Sequence, residues 1–209
     1  KLIGLTVRNG SAARGAGIYC KNSDPSIMNL IIKDNISSDK GGGILMEDGS
    51  SPSLINVTIK NNRSNAQGAG IFMEDGSSPT LTNVSIYGNI ANIIESGGGG
   101  GIYIDNYSNP TLINVTIGGN TASSGSGIYI RSFSGSSTPI LVNCIVWKNI
   151  NTASIIPQVE LDDDDSGLTV SYSNIEGGYH KNGNTYAITG SGNIDSNPLF
   201  VDAANGDYS

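Results

Sequence analysis

Short runs of alternating apolar and polar residues recur along the chain, and two kinds of run repeat in a fixed order. The first kind follows a Gly-x-Gly-Ile motif, whose isoleucines are Ile18, Ile44, Ile71, Ile102 and Ile128. The second kind has an asparagine between apolar residues, at Asn29, Asn56, Asn83, Asn114 and Asn143. A further asparagine follows each second run, at Asn35, Asn62, Asn89, Asn120 and Asn149. Five phased copies at steps of 26 to 31 residues indicate a repeat architecture.

Each copy contains two short stretches in which every second residue is apolar, and Gly, Asn, Ser and Pro separate them. This pattern predicts strands joined by turns, with no segment long enough for a helix. A unit of this size buries too little surface alone and must stack on its neighbours. Connections between parallel strands wind right-handed. The sequence therefore predicts an all-β fold, a right-handed parallel β-helix (a solenoid) of six or seven rungs that lie about 4.8 Å apart.

Equivalent residues of successive rungs should then stack into columns. Besides the isoleucines of the first motif, the columns expected to face inward are Cys20, Met46, Met73, Ile104 and Ile130; Leu30, Val57, Val84, Val115 and Cys144; and Ile32, Ile59, Ile86, Ile117 and Val146. The asparagines of the second run should sit at a bend, because Asn tolerates left-handed backbone, and should form an asparagine ladder through their amides. Apparent glycosylation sequons such as Asn56-Val57-Thr58 are then expected to be buried by-products of the repeat.

The regularity weakens after residue 150, so residues 1–150 are interpreted as regular rungs and 151–209 as irregular last rungs and a C-terminal cap of the same domain. Residues 159–161 and 168–172 should form a sixth rung, and residues 192–202 a final rung that shields the core. Cys20 and Cys144 lie four rungs apart in this arrangement, roughly 19 Å, which is too far for a disulfide. Both are predicted to be unpaired core residues.

Composition narrows the function classes. Acidic residues outnumber basic ones 18 to 11, a net charge of −7, so a nucleic-acid partner is not expected. No apolar run of about 18 residues is present, so no membrane span is expected. The chain opens on the strand-like residues 2–7 without a signal peptide. A bare strand edge invites pairing, which suggests a piece of something longer and a self partner through the end strands.

The segments Gly-Gly-Gly-Ile-Leu, Ser-Ser-Pro-Thr-Leu-Thr-Asn-Val-Ser-Ile and Tyr-Ser-Asn-Ile-Glu-Gly-Gly resemble bacterial right-handed β-helix repeat proteins of the pectate-lyase-like superfamily. The stretch from Gly192 to Tyr208 is the most specific part of the resemblance, which covers nearly the whole chain. The chain resembles in particular large secreted or surface-anchored proteins. The resemblance implies the fold and an extracellular or cell-surface location. It does not imply that the protein is an enzyme, because that superfamily mixes lyases, hydrolases, adhesins and scaffolds.

An outward column of mostly aromatic residues is the first candidate site, formed by Tyr19, Leu45, Phe72, Tyr103 and Tyr129. Sugars bind by stacking on aromatic rings that have polar neighbours, so Tyr19, Phe72, Tyr103 and Tyr129 are candidate ligand-binding residues for a polysaccharide. The alternative is that aromatic rings one rung apart stack on each other and only stabilise the coil.

Two identical Met-Glu-Asp-Gly-Ser-Ser-Pro turns place Glu47, Asp48, Glu74 and Asp75 on adjacent rungs. Four neighbouring carboxylates are hard oxygen ligands that suit Ca²⁺, so these residues are candidate metal ligands. The alternative is that both turns are simply solvated. The acidic run 162–165 has the same two interpretations, a Ca²⁺ site or a solvated turn. The sequence pattern requires no cofactor. If the protein binds a metal ion, these turns suit Ca²⁺.

Catalysis has few candidates. Polysaccharide lyases of the resembled superfamily use a Ca²⁺ cluster with an Arg or Lys base, and Arg131 near Asp105 and Glu74 is the best match. That group is equally a column of ion pairs. The lone histidine, His180, is interpreted as a surface loop residue, away from paired acids. The longer rung with the insertion 93–95 is where a loop could overhang a cleft.

Two functions therefore remain open. The first is a non-catalytic extracellular module, such as an adhesin, a stalk or a filament component that contacts glycans. The second is a Ca²⁺-dependent polysaccharide lyase or glycoside hydrolase acting on acidic polysaccharide.

Overall fold

The computed structural model describes residues 1–91, 98–152 and 158–202. Within these residues the chain is all-β and winds into a parallel solenoid of about 6 turns. The strands of successive turns form three sheets, which are the walls of the coil. None of the described residues belongs to a helix that is long and apolar enough to cross a bilayer.

The first sheet follows the Gly-x-Gly-Ile motifs, whose alternating residues favour strands. Its strands are β4 (Ile18–Lys21), β8 (Ile44–Glu47), β11 (Ile71–Met73), β14 (Ile102–Asp105), β17 (Ile128–Arg131), β21 (Val159–Leu161), β24 (Tyr179–Lys181) and β25 (Asn184–Tyr186). They pair in this order, all in parallel except β24 with β25. Ile44 pairs with Ile71 in register, so the predicted stacking of equivalent residues is confirmed.

The second sheet has eleven strands and is bent along its middle. Its strands are β1 (Leu2–Ile3), β2 (Thr6–Arg8), β5 (Ser26–Met28), β6 (Ile31–Lys33), β9 (Ser53–Lys60), β12 (Thr80–Tyr87), β15 (Thr111–Gly118), β18 (Ile140–Val142), β19 (Ile145–Trp147), β22 (Thr169–Ser171) and β23 (Asn174–Ile175). The bend in β9 is at Asn56, whose φ is 54°, and the other central asparagines have similar angles. Their left-handed backbone turns each rung through a corner.

The third sheet is narrow, with two residues of each rung in its strands. These are β3 (Ser11–Ala12), β7 (Ile36–Ser37), β10 (Arg63–Ser64), β13 (Ile90–Ala91), β16 (Thr121–Ala122) and β20 (Ile150–Asn151). Ala91 and Ala122 pack together on the inner side, where only small side chains fit. This sheet closes the coil between the second sheet and the next copy of the first.

The predicted inward columns form one continuous core, and its residues are 0 to 2 % exposed from Cys20 to Val146. Ile18, on the first turn, is partly buried. Cys20 and Cys144 are free and buried, as predicted. Burial raises the pKa of the Cys144 thiol to about 11.

The central asparagines form the predicted ladder, because each Nδ2 donates to the Oδ1 of the previous rung. The distances from Asn56 to Asn29 and from Asn143 to Asn114 are 3.1 Å and 2.7 Å. The prediction that the sequons are buried is wrong for their asparagines. Their side chains are exposed, because the bend at each corner points them away from the core.

A second, buried asparagine ladder was not predicted. It joins Asn35, Asn62, Asn89, Asn120 and Asn149. From Asn62 onward, each Oδ1 accepts both the backbone N–H and the Nδ2 of the asparagine on the preceding rung, and Gln158 accepts from Asn149 in the same way at the end. Each Nδ2 of this ladder also donates to a main-chain carbonyl, as Asn89 does to Ile59 at 3.0 Å. Buried amides of this kind must be satisfied, which explains the recurring asparagine.

The last turns agree with the predicted sixth rung, which consists of β21 and β22 joined across the acidic run. Beyond it, the backbone of Ile194 bridges to Asn174 in parallel, and Ser173 N–H donates to Asn193 Oδ1 at 3.0 Å. Ile188 packs against the end of the core. The tail therefore runs along the last turn. The insertion 93–95 and the end of the tail, residues 203–209, lie outside the described residues.

Candidate functional site

The aromatic column stacks in register on the outer side of the first sheet. Phe72 and Tyr103 are 0 % exposed and Tyr129 is 5 % exposed, whereas Tyr19 is 46 % exposed. The prediction that the column is an exposed stripe is therefore wrong for three of the four candidate residues. The column faces away from the core but forms a buried cluster of its own with Leu45.

The glycine turn before each strand covers this column. A Cβ placed on Gly68 would lie 2.6 Å from the Cβ of Phe72, and one on Gly99 would lie 2.8 Å from the Cβ of Tyr103. Both glycines have positive φ. The Gly-x-Gly motif is thus required so that the main chain can lie directly over the outer side chains.

The buried rings contact each other from rung to rung. The centroids of Phe72 and Tyr103 are 4.8 Å apart at 19°, and those of Tyr103 and Tyr129 are 5.0 Å apart at 42°. Lys40 Nζ lies 4.6 Å from the Phe72 centroid. Each such aromatic pair contributes about 0.5–1.5 kcal/mol beyond its burial. The geometry supports the alternative interpretation, in which the rings stabilise the coil.

The carboxylates of Glu47 and Glu74 meet beside the aromatic column, and Arg14 holds them together. Arg14 Nη2 lies 3.0 Å from Glu47 Oε2 and also contacts Glu74 Oε1. Lys21 Nζ approaches Glu47 Oε1 at 2.9 Å, and Lys40 Nζ approaches Glu74 Oε2 at 3.1 Å. Glu47 is 4 % exposed and Glu74 is 8 % exposed, so three cations from neighbouring turns neutralise two nearly buried carboxylates.

These contacts determine the ionisation of Glu47. Burial by itself would raise the pKa of Glu47, but the hydrogen bonds from Tyr19 and Lys21 and the charge of Arg14 lower it overall. The side chain is held as a carboxylate whose oxygens are already occupied.

The four predicted metal ligands do not converge. Asp48 and Asp75 have φ of 54° and 55° and are exposed, while Glu47 and Glu74 point toward Arg14. No group of three or more His, Cys, Asp or Glu side chains in residues 1–91, 98–152 and 158–202 is arranged to hold a metal ion. The predicted Ca²⁺ site at these two turns is therefore not supported, because cations of the protein take the place of the metal.

Arg131 pairs in register with Asp105 but forms its ion pair one rung further on. Its Nε lies 3.3 Å from Asp162 Oδ2, and its guanidinium lies 4.0 Å from the Phe133 centroid. The predicted group of Arg131, Asp105 and Glu74 is thus a column of stacked positions rather than one contact. Asp105 is 5 % exposed, and burial raises its pKa to about 6, despite its hydrogen bond from Asn106 N–H.

The sequence patterns did not predict a cluster of titratable residues that lies at the end of the aromatic column. Glu160 and His180 continue that column in register, with Nδ1 of the histidine 3.9 Å from Oε1 of the glutamate. The Glu160 side chain is 14 % exposed, its Oε2 accepts the Gly125 N–H at 2.8 Å, and burial raises its pKa. Asp162, which directly follows β21, accepts from the Tyr129 hydroxyl at 2.6 Å.

The interpretation of His180 as a surface loop residue is wrong, because it lies in β24 and is 15 % exposed. The alternation of Tyr179, His180 and Lys181 in the sequence could have predicted this strand. It follows the preceding strand of its sheet after only 20 residues, shorter than the repeat, and so it does not match the periodic pattern.

The comparison with protein families settles the class of the coil. A family model described as a right-handed β-helix region matches residues 2–204. The chain belongs to the right-handed β-helix family. The comparisons with curated proteins and with solved structures gave no match. For this β-helix the predicted handedness, repeat and solenoid are confirmed, and its narrower resemblance to pectate-lyase-like surface proteins stays a prediction.

Proposed function

We propose that this β-helix is a non-catalytic module of an extracellular surface protein, which serves as a stalk or an adhesive region and contacts glycans. The observation that carries the proposal is that the charged groups around the first sheet pair between rungs. Arg14, Lys21 and Lys40 neutralise Glu47 and Glu74, and Arg131 pairs with Asp162. Groups held in this way stabilise a coil and are poorly placed to transfer protons to a ligand.

Continuity along the axis supports the role of a stalk. The buried amide ladder runs from the Gly10 N–H, which donates to Asn35, through five asparagines to Gln158. The aromatic column and the core run alongside it. From β3 to β20, rungs contact their neighbours through all three sheets, so bending this part of the coil would strain the ladders and the core together.

The extracellular location and the glycan partner rest on the resemblance and on the exposed part of the aromatic column. Tyr19 retains 46 % exposure and lies beside the exposed cation Lys21. Phe72, Tyr103 and Tyr129 are too buried to meet a sugar. The proposal therefore limits glycan contact in this column to its first rung.

The test combines a glycan array with a product assay on the same purified domain. We expect retention of glycans without release of unsaturated or reducing-end products from a panel of uronic-acid and neutral polysaccharides. Products that disappear in Arg131→Ala or Glu160→Gln would overturn the proposal, since turnover would then depend on the candidate residues.

A glycoside hydrolase is the second candidate, and the cluster around Glu160 is the observation that favours it. Glu160 lies in β21 and Asp162 directly follows that strand. Two residues of extended backbone span about 6.6 Å. Inverting hydrolases use a carboxylic acid and a carboxylate about 6.5–9.5 Å apart, and the acid needs a raised pKa. Burial raises the pKa of Glu160.

In that mechanism Glu160 would protonate the leaving oxygen, and Asp162 would activate water. Glu160→Gln would then abolish reducing-end release, whereas Glu176→Gln, a change in another glutamate outside the cluster, would not. Equal rates for wild type and Glu160→Gln would exclude Glu160 as the acid.

A further inference from the structure

The outer face of the second sheet carries three cations in register. Arg8 pairs with Lys33 across β2 and β6, and Lys33 pairs with Lys60 across β6 and β9. Register partners in adjacent parallel strands share one side of the sheet. The three side chains, called here the cationic stripe, therefore follow each other along the axis at one per rung, about 4.8 Å apart.

In the described part of the chain, few carboxylates neutralise the cations of this stripe. Lys33 Nζ lies 3.3 Å from the carboxylate of Asp34, which is its sequence neighbour. Over the described residues, no carboxylate forms an ion pair with Arg8 or Lys60. The cations around Glu47 and Glu74, in contrast, are all paired. Like charges directly opposite each other destabilise a sheet, so the stripe lowers stability unless an external anion neutralises it.

The stripe also borders a shallow groove. Thr6 and Ile31 line it beside Arg8, Lys33 and Lys60, and its volume is about 540 Å³. The next residue of the same column after Lys60 is Tyr87, whose ring lies 5.5 Å from Lys60 Nζ. The groove thus combines cations, a hydroxyl group and an apolar side chain, with an aromatic ring at the next rung.

We propose that the cationic stripe binds an acidic glycan that runs along the coil axis. A linear polymer bearing a carboxylate or sulfate on successive sugars presents anions at intervals comparable to the rung spacing, so one chain can engage all three cations. Threonine hydroxyls and an aromatic ring are groups that contact sugars. A nucleic acid fits less well, because the protein as a whole carries a net charge of −7 and three cations neutralise few phosphates.

This inference rests on the proposed function for the glycan class and places the site outside the aromatic column and the Glu160 cluster. The stripe is on the second sheet, whereas Tyr19, Arg131 and Glu160 are on the first. The cationic stripe can therefore be mutated without altering a residue of the candidate sites on the first sheet.

The experiment is a binding titration of the domain with heparin, which supplies sulfates, and with alginate, which supplies carboxylates. Dextran serves as the neutral polymer and a single-stranded DNA oligonucleotide as the alternative polyanion. The variant Lys33→Gln/Lys60→Gln removes two stripe charges. The matched control Arg63→Gln/Lys148→Gln removes two exposed charges elsewhere and changes the net charge equally.

We expect binding of at least one of heparin and alginate, and weakening by about tenfold or more in the stripe variant at low ionic strength. The control should stay within about twofold of wild type, and dextran should not bind. Loss with heparin alone identifies sulfate as the preferred anion, and loss with alginate alone identifies carboxylate. The stripe variant should unfold at the same or a higher temperature, because a repulsion is removed. If it does not fold, Arg8→Gln provides the same test.

Three outcomes would overturn the inference: equal binding by the stripe variant and the control, no binding of either polyanion by the wild type, or tighter binding of the oligonucleotide than of both glycans. Retained glycan binding in the stripe variant would leave the proposed function intact and move its site elsewhere. Cleavage of the bound glycan would instead overturn the proposed function, while the two variants still decide where it binds.

Discussion

The Oδ1 atom of Asn89 accepts two hydrogen bonds from Asn62, one from its backbone N–H and one from its side-chain Nδ2, both at 3.0 Å. A buried amide on one rung therefore satisfies both a main-chain group and a side-chain group of the rung before. The exposed ladder has a simpler link, in which Asn83 Nδ2 donates to Asn56 Oδ1 at 3.2 Å. The two ladders are thus expected to differ in their contribution to stability.

Replacing Asn89 with Ala should lower the free energy of unfolding by about 2–4 kcal/mol, because buried donors and acceptors of Asn62, Ile59 and Asn120 lose their partner. The exposed-ladder variant Asn83→Gly keeps the positive φ and should cost less than about 1 kcal/mol. Urea unfolding followed by circular dichroism measures both. Equal losses in the two variants would contradict the difference between the ladders.

Removing the Phe72 ring should destabilise the coil by about 3–5 kcal/mol, as expected for a buried aromatic residue. Tyr19→Ala, in the same column but half exposed, should cost much less and should weaken glycan binding. Thermal unfolding and the glycan array separate the two effects. A stable Phe72→Ala protein that loses glycan binding would restore the interpretation of the column as a sugar platform.

The glycine turns can be tested with two substitutions at positive φ. Gly68 has φ of 59° and little space above Phe72, whereas Gly76 has φ of 78° and no atom within 4 Å of the position that a Cβ would take. Gly76→Ala should lose about 1 kcal/mol from backbone strain alone. Gly68→Ala should lose that amount and about 1–3 kcal/mol more from the clash. Similar unfolding midpoints would show that the turn can move away from the ring.

Asp105 predicts a dependence of stability on pH. Its pKa is about 6 in the folded chain and 3.8 as a free group. At pH values well below its free pKa, Asp105 is protonated in both the folded and the unfolded state, so its burial does not lower the free energy of unfolding. As pH rises from about 4 to 6, the unfolded state ionises first, and stability falls by up to about 3 kcal/mol and then levels off.

The variant Asp105→Asn keeps an oxygen for the Asn106 N–H and should remove this fall. The difference in unfolding free energy between variant and wild type should grow as pH rises through about 4 to 6 and be constant above it. A difference that is the same at the two ends of this range would contradict the raised pKa. Asp48→Asn, at an exposed turn, is the control for the loss of a carboxylate.

Both cysteines should react with a thiol reagent only after unfolding, because Cys20 and Cys144 lie in the core and the thiolate of Cys144 is disfavoured by burial. Counting thiols in native and denatured protein measures this. Two reactive thiols in the native state would contradict the packing, and none in the denatured state would indicate a disulfide.

The repeat determined the fold, because an alternation of apolar residues and a nearly regular step of 26 to 31 residues leave few ways to bury the apolar residues. Ile44 and Ile71 had to stack once the copies were equivalent, and the same logic separated Cys20 from Cys144. The bend at Asn56 also followed from the sequence, since a left-handed corner between two apolar strands favours asparagine.

What faces outward on a strand is a different question from what is exposed, and only the tertiary structure answered it. Alternation places Phe72 and Tyr103 away from the core, but the main chain of the preceding glycine turn lies over them. The same packing brought Arg14 from one turn onto Glu47 and Glu74 from two others, and it placed His180 beside Glu160. Such contacts depend on how loops fold back across the sheet, and no local periodicity encodes that path.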